Sequence, residues 1–403
     1  MVAMSAPRSP AVSARLSRLR FDRHELAGAF GDIGTDLPLL IALIAACDLD
    51  AASVCILFGL LQIATGVLYG IPMPVQPLKA MATIMLTERL TPGTLAGGGL
   101  VIGVVMLLLA AVGLLDWLAR VVPKEVVRGI QLGLGITLAT LALGQYAGAA
   151  GTSGYLLALV ALAVLLALRG QRRVPAPLLV MGLGVAYAVV TELEPASLAG
   201  AIGLRFPSFH APTAEEVTRG ALLLALPQLP LSLGNSVIAT SQTTRDLFPE
   251  RPVGVRTIGI TYGLMNLVAP WFGGVPVCHG CGGLAGFHGF GARTGGAPVL
   301  YGLMYLLLGL FFAPGFVQIV RVFPMPVLGV VLLFEAIALM MLVRDIAHER
   351  SALWVALAVA AAVVGLPYGY AVGLVAGTAI SWSMRRGWVA APGADTDAVR
   401  VTE

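Results

Sequence analysis

Residues 72–80 read Pro-Met-Pro-Val-Gln-Pro-Leu-Lys-Ala, and residues 275–285 read Val-Pro-Val-Cys-His-Gly-Cys-Gly-Gly-Leu-Ala. Both stretches interrupt an otherwise apolar chain. Proline has no N–H and holds its predecessor in extended geometry. Pro72, Pro74 and Pro77 therefore predict an extended entry, followed by a short helix over 78–86. Pro276, followed by Gly280, Gly282 and Gly283, predicts the same device before a short helix that includes 284–287. Pro74 and Pro276 each follow a long apolar run and stand 202 residues apart. Pro123 (before Val126 and Gly129) and Pro324 (before Val327 and Gly329) stand 201 apart. Two landmarks at nearly one offset predict a duplication.

The background against which these interruptions stand is that of a membrane protein. Of 403 residues, 58% are hydrophobic and 11% are charged, against roughly 25% charged in a soluble protein. Mean hydropathy is +0.90. This excludes water-soluble enzymes, disordered scaffolds and nucleic-acid binders, and makes the lipid bilayer the first partner. The net charge of +4 comes from Arg at membrane edges and carries no nucleic-acid meaning. The 49 Gly and 25 Pro predict broken helices and close helix packing.

A span needs about 20 apolar residues. The charge-free stretch from Gly129 to Leu168 holds two, with a turn at Gly151 to Gly154; the one from Ser351 to Met384 is divided by Pro367. Extended over the chain, this reading gives an all-α membrane protein of about 14 transmembrane segments: 25–47, 52–70, 73–87, 93–115, 125–147, 153–169, 174–191, 218–241, 254–272, 276–289, 296–313, 323–343, 350–365 and 367–385. Segments 3 and 10 are too short to cross as full helices. With the N-terminus inside, 20 of the 25 basic residues fall on the inner side, as the positive-inside rule requires. Both termini are then cytoplasmic, in the cell (inner) membrane.

Seven segments per copy is an odd number, so the second copy must be inverted. Inverted repeats with short interrupted segments in matching places point to a secondary transporter. Residues 1–24 form a cytoplasmic tail; 25–115 and 206–315 the two halves of a core domain; 116–205 and 316–388 the two halves of a gate domain; and 389–403 a disordered tail.

Two short helices meeting N-terminus to N-terminus make an anion site, because unpaired N–H groups and the positive dipole ends converge there. The Gly-rich lining suits a small anion. Lys79, one of two lysines, lies in the first turn or so of the first short helix; an intramembrane charge is functional by default. Its alternatives are snorkelling or pairing with Asp32 or Asp36. Those acids, four residues apart, share a helix face and are candidates for proton coupling, as is Glu335; capping a broken helix is the plainer role. His279 is a candidate donor to an oxyanion, packing being its alternative. Asn235 and Ser236, with Gln228, Ser232, Thr240 and Ser241, form a polar face on the eighth segment that binds an oxyanion or joins helices. The Cys278-His279-Gly280-Cys281 run invites a metal or redox reading, but a structural zinc needs four ligands, and only His288 lies near in sequence. No metal or other cofactor is expected. The two lysines, Lys79 and Lys124, stand outside any phosphate-binding loop motif, and no hydrolytic triad is visible.

Phe30-Gly-Asp-Ile-Gly-Thr-Asp-Leu-Pro38, residues 72–80, residues 276–285 and Phe290-Gly-Ala-Arg-Thr-Gly-Gly296 resemble the molybdate transporter family, which is related to the SulP sulfate transporters. The resemblance covers most of 20–385. It implies a seven-plus-seven inverted repeat, a core domain moving against a gate, molybdate uptake, and the lack of the SulP regulatory domain. It also implies that Gln76, Pro77, Lys79, Cys278, His279, Gly280, Gly282 and Gly283 line the substrate site. The expected function is secondary active import of a tetrahedral oxyanion, molybdate first, by alternating access with proton coupling. A sulfate transporter on the same scaffold and an anion channel are the alternatives. A homodimer is among the expected assemblies.

Overall fold

The computed structural model describes residues 19–115, 117, 121–149, 151–168, 176–191 and 201–389. The two tails fall almost wholly outside these residues, as does the Glu335 side chain. The first apolar run is broken into α1 (Arg23–Ala29) and α2 (Ile33–Cys47). Asp22 starts α1, its carboxylate accepting from the N–H groups of His24 and Glu25 at 2.8 and 3.1 Å. Helix α3 (Ala51–Tyr69) is capped by Asp50, which accepts from Ser53 N–H, and it stops at Gly70 with φ 65°. The strand β1 (Gln76–Pro77) and α4 (Lys79–Glu88) follow, then α5 (Pro92–Ala111). Helix α6 (Lys124–Leu141) runs on through a π turn, Ala142–Tyr146, before α7 (Gly151–Ala167) and α8 (Ala176–Thr191).

Helix α9 covers Ala214–Leu247, 34 residues in all. It opens with a Thr213–Glu216 capping box and holds two π stretches, Ala221–Ala225 and Ser232–Ala239. Next come α10 (Val255–Val268), the strand β2 (Val277–Cys278), α11 (Cys281–Gly289), α12 (Gly296–Phe311), α13 (Ala313–Val322), α14 (Met325–Met341), α15 (Arg350–Gly365) and α16 (Gly369–Arg385). Among the described residues, five helical stretches are each long and apolar enough to cross a bilayer: α3, α5, α6 with its π turn, α9, and α14 with its 3-10 continuation to Ile346. They coincide with the segments expected at 52–70, 93–115, 125–147, 218–241 and 323–343. The chain is a mostly helical, multi-pass membrane protein.

Helix α13 was not expected. The expected segments 296–313 and 323–343 leave its residues between them, yet Pro314 in its first turn is well placed to start a helix. The chain bends by 94° between α12 and α13. The packing is reciprocal: α3 lies along α12, α5 along α10, and α6 against α14 and α15.

The strands β1 and β2 pair antiparallel, Gln76 opposite Cys278 and Pro77 opposite Val277. Leu78 N–H donates to the Pro276 carbonyl at 3.0 Å. Because each strand runs directly into its helix, α4 and α11 leave this ribbon in opposite directions, with their N-terminal ends flanking it.

Candidate functional site

The ribbon is two residues deep, and side chains supply the hydrogen bonds that neighbouring strands would provide in a larger sheet. Gln62 on α3 donates through Nε2 to the Val75 carbonyl (2.7 Å) and accepts from Val75 N–H (3.2 Å). Asn266 on α10 donates through Nδ2 to the Val277 carbonyl (2.6 Å) and accepts from Val277 N–H (2.8 Å). Both amides are fully buried. Sequence reasoning missed them, because a lone amide on an apolar helix reads as an interhelical tie. Gln62 and Asn266 stand 204 residues apart, so a search for polar residues recurring near the duplication offset finds them.

The tip of α4 is built from three elements. Lys79 is its first residue and is half-buried. It lies within electrostatic range of the Cys278 and Cys281 thiols. Gln228 on α9 reaches across, its Oε1 accepting from Ala80 N–H (3.0 Å) and Met81 N–H (3.3 Å). Its Nε2 donates to Ser232 Oγ at 3.1 Å, and Ser232 in turn meets Tyr262 Oη at 2.7 Å. The expectation that the N–H groups of α4 are free is therefore corrected for two of them. The cap is neutral, so it satisfies donors without cancelling the positive end of the helix.

The tip of α11 is shaped by glycine. Gly280 is its N-cap and has no side chain to cap with. A Cβ there would overlap Gln76 Oε1, and one at Gly283 would overlap an Asp32 carboxylate oxygen. Gly282 is different: it is exposed, with nothing within 4 Å of an added Cβ, so the tip opens at this residue. Gln76 Nε2 donates to both Asp32 oxygens, at 2.7 and 2.8 Å. Asp32 occupies the N-cap position of α2 but makes no capping bond there, which corrects the capping role; its carboxylate is turned to β1. Asp36, fully buried, lies within electrostatic range of Tyr301 and Tyr305. Those tyrosines form an edge-to-face cluster with Phe58 on α3 and Phe287 on α11, which packs α11 against α3 and α12.

His279 does not offer a donor to a ligand. Nδ1 lies 3.0 Å from the Pro74 carbonyl, which can only accept, so Nδ1 carries the proton. Nε2, 2.8 Å from Thr261 Oγ1, is then the acceptor. Tyr69 Oη completes the row 2.5 Å from the same hydroxyl. Both ring nitrogens are committed inside the protein, and the expected oxyanion role of His279 gives way to that of a pin between the ribbon and α10. Thr240 on α9 donates to the His279 carbonyl at 2.9 Å.

The polar face of the eighth segment also needs correction. Ser232–Ala239 is π-helical, so the i, i+3, i+4 spacing of Ser232, Asn235 and Ser236 does not place them on one α-helical face. Ser232 and Ser236 are buried, Ser236 beside the Cys278 thiol. Asn235 is half-buried and lines a cavity of about 280 Å³ with Lys124 and Arg128. Sequence reasoning also passed over Glu25. Its carboxylate accepts from the N–H groups of Arg293 and Thr294 (both 2.9 Å) and Ala297 (3.1 Å), anchoring the start of α12 to α1. Among the described residues, no group of three or more His, Cys, Asp or Glu side chains is placed to hold a metal.

The structure thus brings together Gln76, Pro77, Lys79, Cys278, Gly280, Gly282, Gly283 and Asp32 around two facing helix ends. Residues 24–138 and 220–339 match the family model described as "Molybdate transporter of MFS superfamily". The chain belongs to this family of molybdate transporters. Molybdate transporter 2 of Arabidopsis thaliana is 35% identical over 369 residues, covering 80% of this chain and 79% of its own. The fold is similar to that of murine Solute Carrier 26 family member A9, an anion transporter solved in the inward-facing state. There the TM-score is 0.69 at 14% identity, over 96% of this chain and 74% of the other. It is also similar to the transmembrane domain of the cyanobacterial bicarbonate transporter BicA, with a TM-score of 0.65 at 15% identity, over 87% and 97%. Family and relatives alike make this molybdate transporter family member a transporter and not an enzyme.

Proposed function

We propose that the protein imports molybdate across the cell membrane by alternating access, coupled to protons. The observation that carries this reading is the pair of helix ends flanking the β1–β2 ribbon. The α4 end has a neutral Gln228 cap and Lys79 at its first position; the α11 end opens at Gly282. Such a cradle favours a compact, doubly charged oxyanion.

The site lies where two halves of an inverted seven-plus-seven repeat of 14 spans meet. Two observations support that reading: the equivalent grips of Gln62 and Asn266, and the exchanged packing in which the second helix of each copy lies along the fourth of the other, α3 on α12 and α10 on α5. The core comprises 25–115 and 206–315, and the gate 116–205 and 316–388. Movement of one against the other exposes the ribbon to each side in turn, with both termini cytoplasmic and two copies forming a homodimer.

Asp32 supplies a route to proton coupling. An ionised carboxylate at the α11 end opposes a dianion, and a protonated one does not. Binding of a proton and of the anion then reinforce each other. The experiment is uptake of labelled molybdate into proteoliposomes with an imposed proton gradient. Saturable uptake that an uncoupler abolishes is the expected result. Saturable uptake indifferent to the uncoupler removes the coupling, and flux equal to that of empty liposomes removes the substrate.

A further inference from the structure

A basic pair stands outside the ribbon site, at the start of α6. Lys124 and Arg128 lie on the first two turns of α6 and line the cavity of about 280 Å³ whose other wall is the π-helical stretch of α9, from Leu233 to Ala239. Both cations face one acid. Arg128 donates through Nε (3.0 Å) and Nη2 (2.6 Å) to Asp345, and Lys124 Nζ lies 2.9 Å from the same carboxylate. A third Arg128 hydrogen bond, from Nη1, goes to Gln131 Oε1 at 2.9 Å. One carboxylate thus answers two cations, which leaves the cluster with an excess positive charge. It also leaves donors unspent, since a guanidinium has five N–H groups and an ammonium three.

The facing wall adds a neutral donor. The Asn235 amide lines the cavity and has no side-chain hydrogen bond among the described residues. Arg128 also lies within electrostatic range of the Cys281 thiol at the tip of α11. On the reading of the molecule given above, α6 belongs to the gate and α9 to the core, so the cavity spans the seam that must open and close.

We propose that Lys124, Arg128 and Asn235 form a second oxyanion site, a way-station between the ribbon and the cytoplasm, in which the anion competes with Asp345 for the two cations. This rests on the proposed function and extends it: the ribbon holds the anion within the core, and the gate contributes its own charges to receive it. A dianion leaving the tips meets Arg128 and Lys124, displaces part of their hold on Asp345, and hydrogen-bonds Asn235 across the seam. The carboxylate then recaptures its cations as the anion departs, which keeps the station from becoming a trap.

The test is equilibrium binding of labelled molybdate to the purified full-length protein, comparing wild type with Arg128→Gln, Lys124→Gln and Asp345→Asn. The wild type is expected to show two classes of site. Arg128→Gln and Lys124→Gln weaken the weaker class by about tenfold each, the scale of one charge-assisted hydrogen bond. Asp345→Asn removes the competitor and tightens the same class. The opposite signs separate this site from a purely structural ion pair, for which breaking it from either side gives the same effect. Shifts in one common direction, or a single class of site in the wild type that all three variants leave unchanged, overturn the proposal. Transport is read separately: absence of molybdate uptake by the wild type counts against the proposed function, while the sign of the Asp345→Asn shift decides the second site.

Discussion

Gln62 and Asn266 make the same grip at the ribbon: each side-chain amide donates to one backbone carbonyl and accepts from the N–H of the same residue, Val75 just before β1 in one case and Val277 in β2 in the other. The grip fixes the ribbon, and the ribbon fixes where the two helix ends face each other. Gln62→Leu and Asn266→Leu each leave a buried N–H and C=O without a partner. Each is expected to lower stability by about 1–3 kcal/mol, seen as a lower unfolding midpoint in detergent, with uptake impaired in both. A loss in only one of them contradicts their equivalence.

Gln228 separates charge from capping. Gln228→Ala removes the acceptor from Ala80 and Met81 N–H and is expected to cost about 0.5–2 kcal/mol, the usual worth of an N-cap. Gln228→Glu keeps an acceptor and adds a negative charge at the positive end of α4, so the fold is retained while molybdate affinity falls. An unfolding assay beside a binding isotherm checks both. Wild-type affinity in Gln228→Glu contradicts an anion at this end of α4.

The glycines of α11 are not interchangeable. Gly280→Ala places a Cβ on Gln76 Oε1 and drives that amide off Asp32; uptake is expected to be lost. Gly282→Ala meets nothing within 4 Å, so the protein folds normally and the new methyl group narrows the opening, raising KM with little change in the unfolding midpoint. Gly282→Ala with unaltered KM places the anion elsewhere.

His279 acts through the ribbon. Thr261→Val removes the hydroxyl partner of Nε2 without touching the cradle, and it is expected to reproduce most of the uptake defect of His279→Ala. A wild-type Thr261→Val beside an inactive His279→Ala argues instead for direct contact between His279 and the anion.

The short helices were legible because proline and glycine act locally: Pro77 stands two residues before the start of α4, and Gly280 directly before that of α11. Side-chain roles were less legible, because they depend on partners that only the fold brings close. His279 was read as a ligand because nothing in its neighbourhood in the chain names Pro74 or Thr261 as its partners. Capping was one role read for Asp32, early in the first segment, but its carboxylate accepts from Gln76, 44 residues away in the chain. The Ser232–Asn235–Ser236 face failed for a different reason: the spacing assumed 3.6 residues per turn, and the backbone there is π-helical. Helix α13 fell between the expected segments 296–313 and 323–343; Pro314 stands in its first turn, where proline is favoured.

The most direct test of the facing helix ends is a crystal of the protein soaked in molybdate and measured at the molybdenum absorption edge, where the anomalous signal locates the metal atom. The account predicts the strongest peak beside the β1–β2 ribbon, within hydrogen-bonding reach of oxyanion contacts from Lys79 and from the N–H groups around Gly282. A strongest peak away from both helix ends, with the ribbon unoccupied, would contradict it.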